Sequence, residues 1–381
     1  MLENLGDIDW KNLRHAYGSA KDVPKLIRAL AESRENQEET LAQLFTSICH
    51  QGTVYQASAY AVPFLMELAM EPTIHRRDEI VGLIAAIAGG NSFLDVHARP
   101  DYEIGRNMLK QSGFKNSLRK ELDYVESARD AVFQQRNALI SLLADSNPMV
   151  RAGAVHALCE FSECARELSP ALVNAVKKET DALATAGMLW CLGTLGGNSK
   201  EVRELLDRTL RTADDPRRSF AAAIALHRMT GRRPRAAEPI YSAMRAATWF
   251  LEEFLNGVPW HFRDEADLAG LVSKVAPDGA RGTEMLLQVL SDPTTHWRVV
   301  ASVVHDLLDI NFPDGDWRTG STLTQTQRCV IECLVNSDSA WMDVRGLWFL
   351  IPNGAMKLSK LSAKDVNAVR KEMRAKLNGA A

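Results

Sequence analysis

Apolar residues recur along this chain at helical spacing, and one short stripe returns at intervals that fit a pair of helices. From Pro24, apolar positions follow at +2, +3 and +6 in Leu26, Ile27 and Leu30. They form one face of a helix whose first turn accepts proline. Val23-Pro24-Lys25-Leu26-Ile27 is echoed by Val62-Pro63-Phe64-Leu65-Met66, at the spacing of one helix pair. The stripe returns from Arg136 as Ala138, Leu139 and Leu142, and from Pro170 as Leu172, Val173 and Val176. From Arg203 it gives Leu205 and Leu206 and lapses at Thr209. The step from Arg136 to Pro170 and the step from Pro170 to Arg203 are almost equal. Glu284 leads Leu286, Leu287 and Leu290, and Arg328 leads Val330, Ile331 and Leu334, whereas Pro239 leads a poorer copy in Tyr241, Ser242 and Arg245.

A second stripe follows the first in the clearer units: Val150, Ala154 and Leu158, then Phe220, Ile224 and Ala225. Each repeat therefore reads as two amphipathic helices. Such a pair cannot bury its apolar faces alone, so neighbours must stack to complete the core. The pattern predicts an all-α chain, an α-solenoid of about seven to nine helix pairs with irregular insertions. It places N-terminal repeats at 1–90, an insertion at 91–130, central repeats at 131–250 and C-terminal repeats with a cap at 251–381.

The period fails in three places. Asn91 to Pro100 is rich in turn formers, and Gly105 and Gly113 interrupt a charged stretch before a helix near Leu118. A second break, 250–282, carries Trp260-His261-Phe262 beside Asp264, Glu265 and Asp267; a third, Asn311 to Trp317, is aromatic and acidic. Long interruptions of a compact array tend to carry function, and insertions tend to gather on one face. The stretch from Lys357 to Lys376 is basic, helical and poor in core residues, as a terminal cap would be.

Composition narrows the class. Hydrophobic residues at 46% and charged residues at 24% are the balance of a folded soluble chain. The net charge of −3 gives no global attraction to phosphate backbones. Six scattered cysteines without a Cys-x-x-Cys pair read as reduced, buried thiols. The first residues lack the basic start and apolar run of a secretory signal, so a cytoplasmic location is expected. No apolar run approaches the roughly 18 residues of a membrane helix.

Leu142-Leu143-Ala144-Asp145-Ser146-Asn147-Pro148-Met149-Val150-Arg151, followed by Ala154 and Ala157-Leu158, resembles the HEAT motif. In that motif a Leu-rich first helix ends in Asp and the second opens with Val-Arg. The interval from Asp145 to Arg151 recurs from Asp292 to Arg298, where the Val is missing. The resemblance implies that Asp145, Arg151, Asp292 and Arg298 form a structural ladder between neighbouring repeats. The N-terminal part, with Trp10, His15-Ala16-Tyr17-Gly18, Asp22-Val23-Pro24 and His50-Gln51-Gly52-Thr53-Val54-Tyr55, is similar to bacterial HEAT-repeat proteins. Some of these act as immunity partners of secreted toxins. The resemblance therefore implies a protein-binding scaffold, most concretely one that neutralises a toxin or effector enzyme.

Catalytic chemistry finds little support in the residues. The HEAT-like deoxyhypusine hydroxylases hold iron with His-Glu pairs, but no His-Glu dipeptide and no His-x-x-x-His spacing occurs here. Cys49-His50 is adjacent, which in a helix turns the two side chains about 100° apart; Cys49 reads as core and His50 as lining the turn to Gly52. Gly89-Gly90 and Gly196-Gly197 read as helix stops, and no nucleophile elbow or phosphate loop is present. The expectation is no catalytic residue, no metal and no cofactor.

Nucleic acid is the competing reading. Arg211, Arg217, Arg218, Arg228, Arg232, Arg233, Arg235 and Arg245 face only Asp214, Asp215 and Glu238 in that stretch. HEAT-like alkylpurine DNA glycosylases use a basic concave surface with Trp and a catalytic Asp, for which Trp249, Trp260 and Asp264 are the nearest candidates. The sign reverses at once in Glu252, Glu253, Asp264, Glu265 and Asp267, whereas a phosphate track should continue over several repeats. A solvated face is the favoured reading. Trp190, Trp341 and Trp348 sit in apolar contexts and read as core. Trp10, Trp260, Trp297 and Trp317 stand near breaks, and with His261, Asp264, Glu265, Asp314 and Asp316 they are the expected partner contacts. The alternative for each tryptophan is that it packs a loop onto the array.

Overall fold

The structure, a computed structural model, describes residues 1–32, 36–98, 100, 103–195, 199–212, 214–231, 279–293, 297–312, 322–341 and 363–378. The fold class is that of an all-α solenoid, with helices stacked in pairs. Two compact units divide the chain between Leu205 and Leu206, inside a helix rather than at one of the breaks in the pattern.

The first unit opens with a short antiparallel hairpin, β1 (Arg14–His15) and β2 (Gly18–Ser19), that leads into α1 (Val23–Glu32) and α2 (Gln37–Ile48). A second hairpin, β3 (Cys49–His50) and β4 (Thr53–Val54), leads into α3 (Gln56–Met70) and α4 (Arg77–Ala88). Two-residue strands carry no periodicity, so neither hairpin is visible as a strand in the sequence. In β3 successive side chains alternate, which sends Cys49 into the core and leaves His50 partly exposed.

Pro24 lies in the first turn of α1, as its stripe predicts, but Pro63 lies well inside α3. The helix starts earlier because Ser58 Oγ accepts the Tyr55 amide at 2.8 Å and donates to Ile48 O at 2.6 Å. The Val-Pro echo thus marks the first helix of a pair without marking its beginning. Pro170 is likewise internal to its helix.

The stretch 91–130 is more helical than its pattern suggests. It forms α5 (Phe93–His97), α6 (Glu103–Leu109) and α7 (Phe114–Gln134). The C-terminal half of α7 packs on α3 and α4 and buries Ala128 and Val132, while its first half buries nothing. That is why no apolar stripe announces it. Glu121 fastens α7 to the start of α5, accepting from Ser92 Oγ at 2.7 Å and the Leu94 amide at 2.8 Å.

Further pairs follow: α8 (Arg136–Leu142) with α9 (Pro148–Cys159), and α10 (Ala165–Lys178) with α11 (Ala182–Leu192). Asn147 caps α9 through the Met149 amide, with Pro148 in the first turn, and Asp181 caps α11 through the Ala184 amide. The second helices α4, α9 and α11 lie side by side, close enough that a Cβ on Gly153 would meet Val81 Cγ1 at 3.0 Å.

Buried guanidiniums tie the pairs together where each first helix turns into its second. Arg77, at the start of α4, donates to Ala69 O at 2.7 Å and to Asp145 Oδ2 at 2.5 Å, so it closes the end of α3 and grips the next pair. Arg151 of that next pair donates to Asp145 O at 2.6 Å and, through two nitrogens, to Glu179 at 2.6 and 2.7 Å. Asp145 and Arg151 therefore reach the neighbouring pairs on either side, not each other's side chains. Arg77 and Glu179 are the partners that the motif does not reveal. Glu179 stands one repeat step after Asp145 and, like it, just ahead of the next helix cap, which is the signal that could have found it.

Two more helices follow in the chain, α12 (Lys200–Thr212) and α13 (Pro216–Thr230), and the division between the units falls inside α12. The second unit also holds α14 (Gly279–Ser291), α15 (Trp297–Asn311), α16 (Gln325–Asn336) and α17 (Ala363–Leu377). Here α14, α15 and α16 pack on one another. The terminal helix α17 packs on α16, burying Val369 and Met373; Arg370 donates to Val335 O at 2.9 Å and lies 5.7 Å from the Trp341 ring. Asp292 is half-buried near the end of α14, and the Arg298 side chain lies outside the described residues.

Candidate partner-binding surface

Of the predicted contact residues, Trp10 is placed against expectation. It is only 4% exposed, its indole N–H donates to Leu5 O at 2.9 Å and its ring lies 6.5 Å from that of Phe64. It packs the N-terminal segment onto α3 and has no face left for a partner. The sequence shows a tryptophan among polar neighbours but not the carbonyl that its N–H satisfies. Trp10→Ala should lower stability by about 3–5 kcal/mol through the cavity left behind, read as a shifted chemical-denaturation midpoint, with a change under about 0.5 kcal/mol contradicting this packing role.

Trp297 opens α15 with its side chain outside the described residues, and Trp260, His261, Asp264, Glu265, Asp314, Asp316 and Trp317 lie outside them altogether. So do Arg232, Arg233, Arg235 and Arg245 of the basic stretch, with Trp249. Within the described part of that stretch, Arg217 is bound to the carboxylate of Asp215 at 2.7–3.2 Å. The Arg217 hydrogen bond holds the Asp215 carboxyl below its ordinary range despite burial, so this arginine is already neutralised locally.

The two hairpins meet through Tyr17 and His50. His15 is buried; its Nδ1 accepts the Tyr17 amide at 2.9 Å, which leaves Nε2 to donate to Asp22 Oδ1 at 2.9 Å. This clamp turns the Tyr17 side chain outward, 67% exposed, with its ring edge-on to His50 at 5.5 Å and its hydroxyl 3.2 Å from His50 Nδ1. His50 O in turn accepts from Thr53 Oγ1 at 2.7 Å, which also meets the Tyr55 hydroxyl at 2.8 Å. Tyr17 is thus an aromatic displayed on a hydrogen-bonded base, the kind of side chain that anchors interfaces. The signal was the His-x-Tyr-Gly turn itself.

The cysteines divide. Cys49, Cys159 and Cys191 are buried, and burial pushes the Cys159 thiol well up, which keeps it protonated and unreactive. Cys164 and Cys333 are half-buried and Cys329 is exposed, so the expectation of uniformly buried thiols fails for the last three. Cys329 and Cys333 stand one helical turn apart, and the side of α16 they share reaches solvent.

Among the described residues no group of three or more His, Cys, Asp or Glu side chains could hold a metal, and no helix is long and apolar enough to cross a membrane. Residues 135–248 match the family model for HEAT repeats. No curated protein matches the chain. The matched segment takes in α8 to α13 and both Asp145 and Arg151, the part of the chain where the stripe and the Asp-Arg spacing are clearest.

Proposed function

We propose that this chain is a protein-binding scaffold and that its partner is a toxin or effector enzyme, which it blocks by one-to-one association. The observation that carries the scaffold reading is the run Arg77–Asp145–Arg151–Glu179. Buried ion pairs across three successive helix pairs hold a broad surface in one shape, so little ordering cost remains when a partner docks. The displayed Tyr17 on its clamped hairpin supports the same reading. The narrower claim of immunity draws on the N-terminal residues Trp10 to Tyr55 and their similarity to bacterial HEAT-repeat proteins. Acidic groups at Asp264, Glu265, Asp314 and Asp316 would complement a basic toxin surface and speed encounter.

Co-expression with each neighbouring gene tests the proposal. One neighbour should arrest growth when expressed alone, and growth should return, with a one-to-one complex on size-exclusion chromatography, when this chain is present. No toxic neighbour and no co-purifying product would sink the immunity reading.

A further inference from the structure

Two thiols of the second unit stand together at the surface. Cys329 and Cys333 lie at i and i+4 on α16 and so share one face of a single helix. Cys329 is exposed and Cys333 half-buried, and both are free thiols. Ser291, the last residue of the neighbouring α14, sets its hydroxyl oxygen 3.5 Å from Cys333 Sγ. That hydroxyl donates to Leu287 O at 2.8 Å, so its oxygen is left to accept the Cys333 thiol proton. Burial raises the Cys333 thiol, the Ser291 contact lowers it, and the charges of Cys329 and Glu332 raise it further, so the two thiols lie within electrostatic reach of one another. Cys159 and Cys191 also sense each other, but both are buried and closed to an incoming ion.

The spacing decides what such a pair can do. Cβ atoms at i and i+4 of a helix are about 5–6 Å apart, whereas a disulfide holds its Cβ atoms at about 3.8 Å, so an S–S bond would have to deform α16. Two metal–sulfur bonds of the zinc–thiolate length, about 2.3 Å each, reach across about 4.6 Å between the sulfurs. That fits one ion held between thiolates a turn apart, with the helix left intact. Zinc itself takes four ligands in a closed site, and among the described residues no group of three or more His, Cys, Asp or Glu could supply them. Thiolates select soft Cu(I), which is satisfied by two sulfur ligands. We infer that Cys329 and Cys333 bind a single Cu(I) ion, with Ser291 as a positioning residue beside Cys333. Both thiols release their protons to water and no electron is exchanged, so one cation replaces two protons and the site carries a single negative charge at the surface. The bound cation removes the repulsion between the ionised sulfurs, and the Ser291 hydroxyl can then turn its hydrogen to the Cys333 thiolate. This site is independent of the scaffold reading and places a metal where the sequence predicts none.

The reduced full-length chain, titrated without oxygen into the coloured Cu(I) complex of bicinchoninate, should withdraw one equivalent of copper. X-ray absorption at the copper edge should show a first shell of sulfur alone. Copper should also shield Cys329 and Cys333 of the wild-type chain from iodoacetamide, read by peptide mass spectrometry, a measurement that needs no variant. Cys329→Ser and Cys333→Ser should each lose more than the roughly hundredfold in affinity that a change outside the ligand set can cost, and Ser291→Ala about tenfold. Cys164→Ser should bind as the wild type does. No withdrawal of copper, thiols left open to alkylation, nitrogen or oxygen in the copper shell, or a Cys329→Ser/Cys333→Ser variant that binds as tightly as the wild type would each overturn the assignment.

Discussion

Arg151→Ala should destabilise the first unit by about 3 kcal/mol, the order expected when one partner of a buried ion pair is removed. The Glu179 side chain is 0% exposed and takes two hydrogen bonds from Arg151, beside the Thr180 and Asp181 amides at 2.9 Å each. Without the guanidinium a charged carboxylate stays in place with only those amides to solvate it. The double variant Arg151→Ala/Glu179→Gln should therefore be more stable than Arg151→Ala alone, because the neutral amide leaves no uncompensated charge. Hydrogen exchange of the α9 and α11 amides in the full chain reads both effects; equal protection in the single and double variants would show that charge burial is not the cause. The same pair has a pH signature. Burial by itself would raise the Glu179 carboxyl, but the Arg151 hydrogen bond, the Asp181 and Thr180 amides and the Arg151 charge outweigh it and lower it. A carboxylate lowered on folding contributes stability above its unfolded value, about 4.3, and loses that contribution as pH falls through the lower folded value. The advantage of the wild type over Glu179→Gln should hold at neutral pH and fade in acid below about pH 4.3.

The sequence discloses the repeat better than what joins or interrupts it. The stripes at Arg136, Arg203, Glu284 and Arg328 fall in α8, α12, α14 and α16, because a helix that buries one face must repeat its apolar residues at helical spacing. The rungs are half legible. Asp145 and Arg151 belong to a local motif, whereas Arg77 stands one residue after its helix cap instead of four and Glu179 precedes a helix without Val-Arg. Their roles come from the spatial neighbour, which no local pattern encodes. The same reason blurs α7, which the sequence shows only as a helix near Leu118 because its first half buries no side chain, and misplaces Trp10, whose partners Leu5 and Phe64 come together only in the fold. Gly89-Gly90 reads correctly as a stop for α4, yet the sequence gives no hint that the second glycine is also a contact.

Gly90→Ala should cost the first unit about 1–3 kcal/mol through overpacking, and Val54→Ala should recover much of that cost. A Cβ on Gly90 would overlap Val54 Cγ1 and lie 3.0 Å from Val54 Cγ2 and 3.1 Å from Val54 Cβ, so a change of rotamer alone cannot clear it. Neither backbone is free to retreat. The Asn91 amide donates to Gly52 O at 2.9 Å and the Val54 amide to Asn91 O at 3.0 Å, pinning the end of α4 to the second hairpin. Val54→Ala on its own loses buried apolar surface, about 1–2 kcal/mol, but in the double variant it opens the space that the new methyl needs. The two effects should therefore be coupled by about 1 kcal/mol or more in a double-mutant cycle. Gly52 supplies the contrast within the same hairpin. Its φ is +80° and nothing lies within 4 Å of a Cβ built there, so Gly52→Ala strains the backbone alone, and Val54→Ala should not rescue it. If Gly90→Ala and Val54→Ala simply add, the close approach of the α4 terminus to β4 is not what requires glycine at position 90.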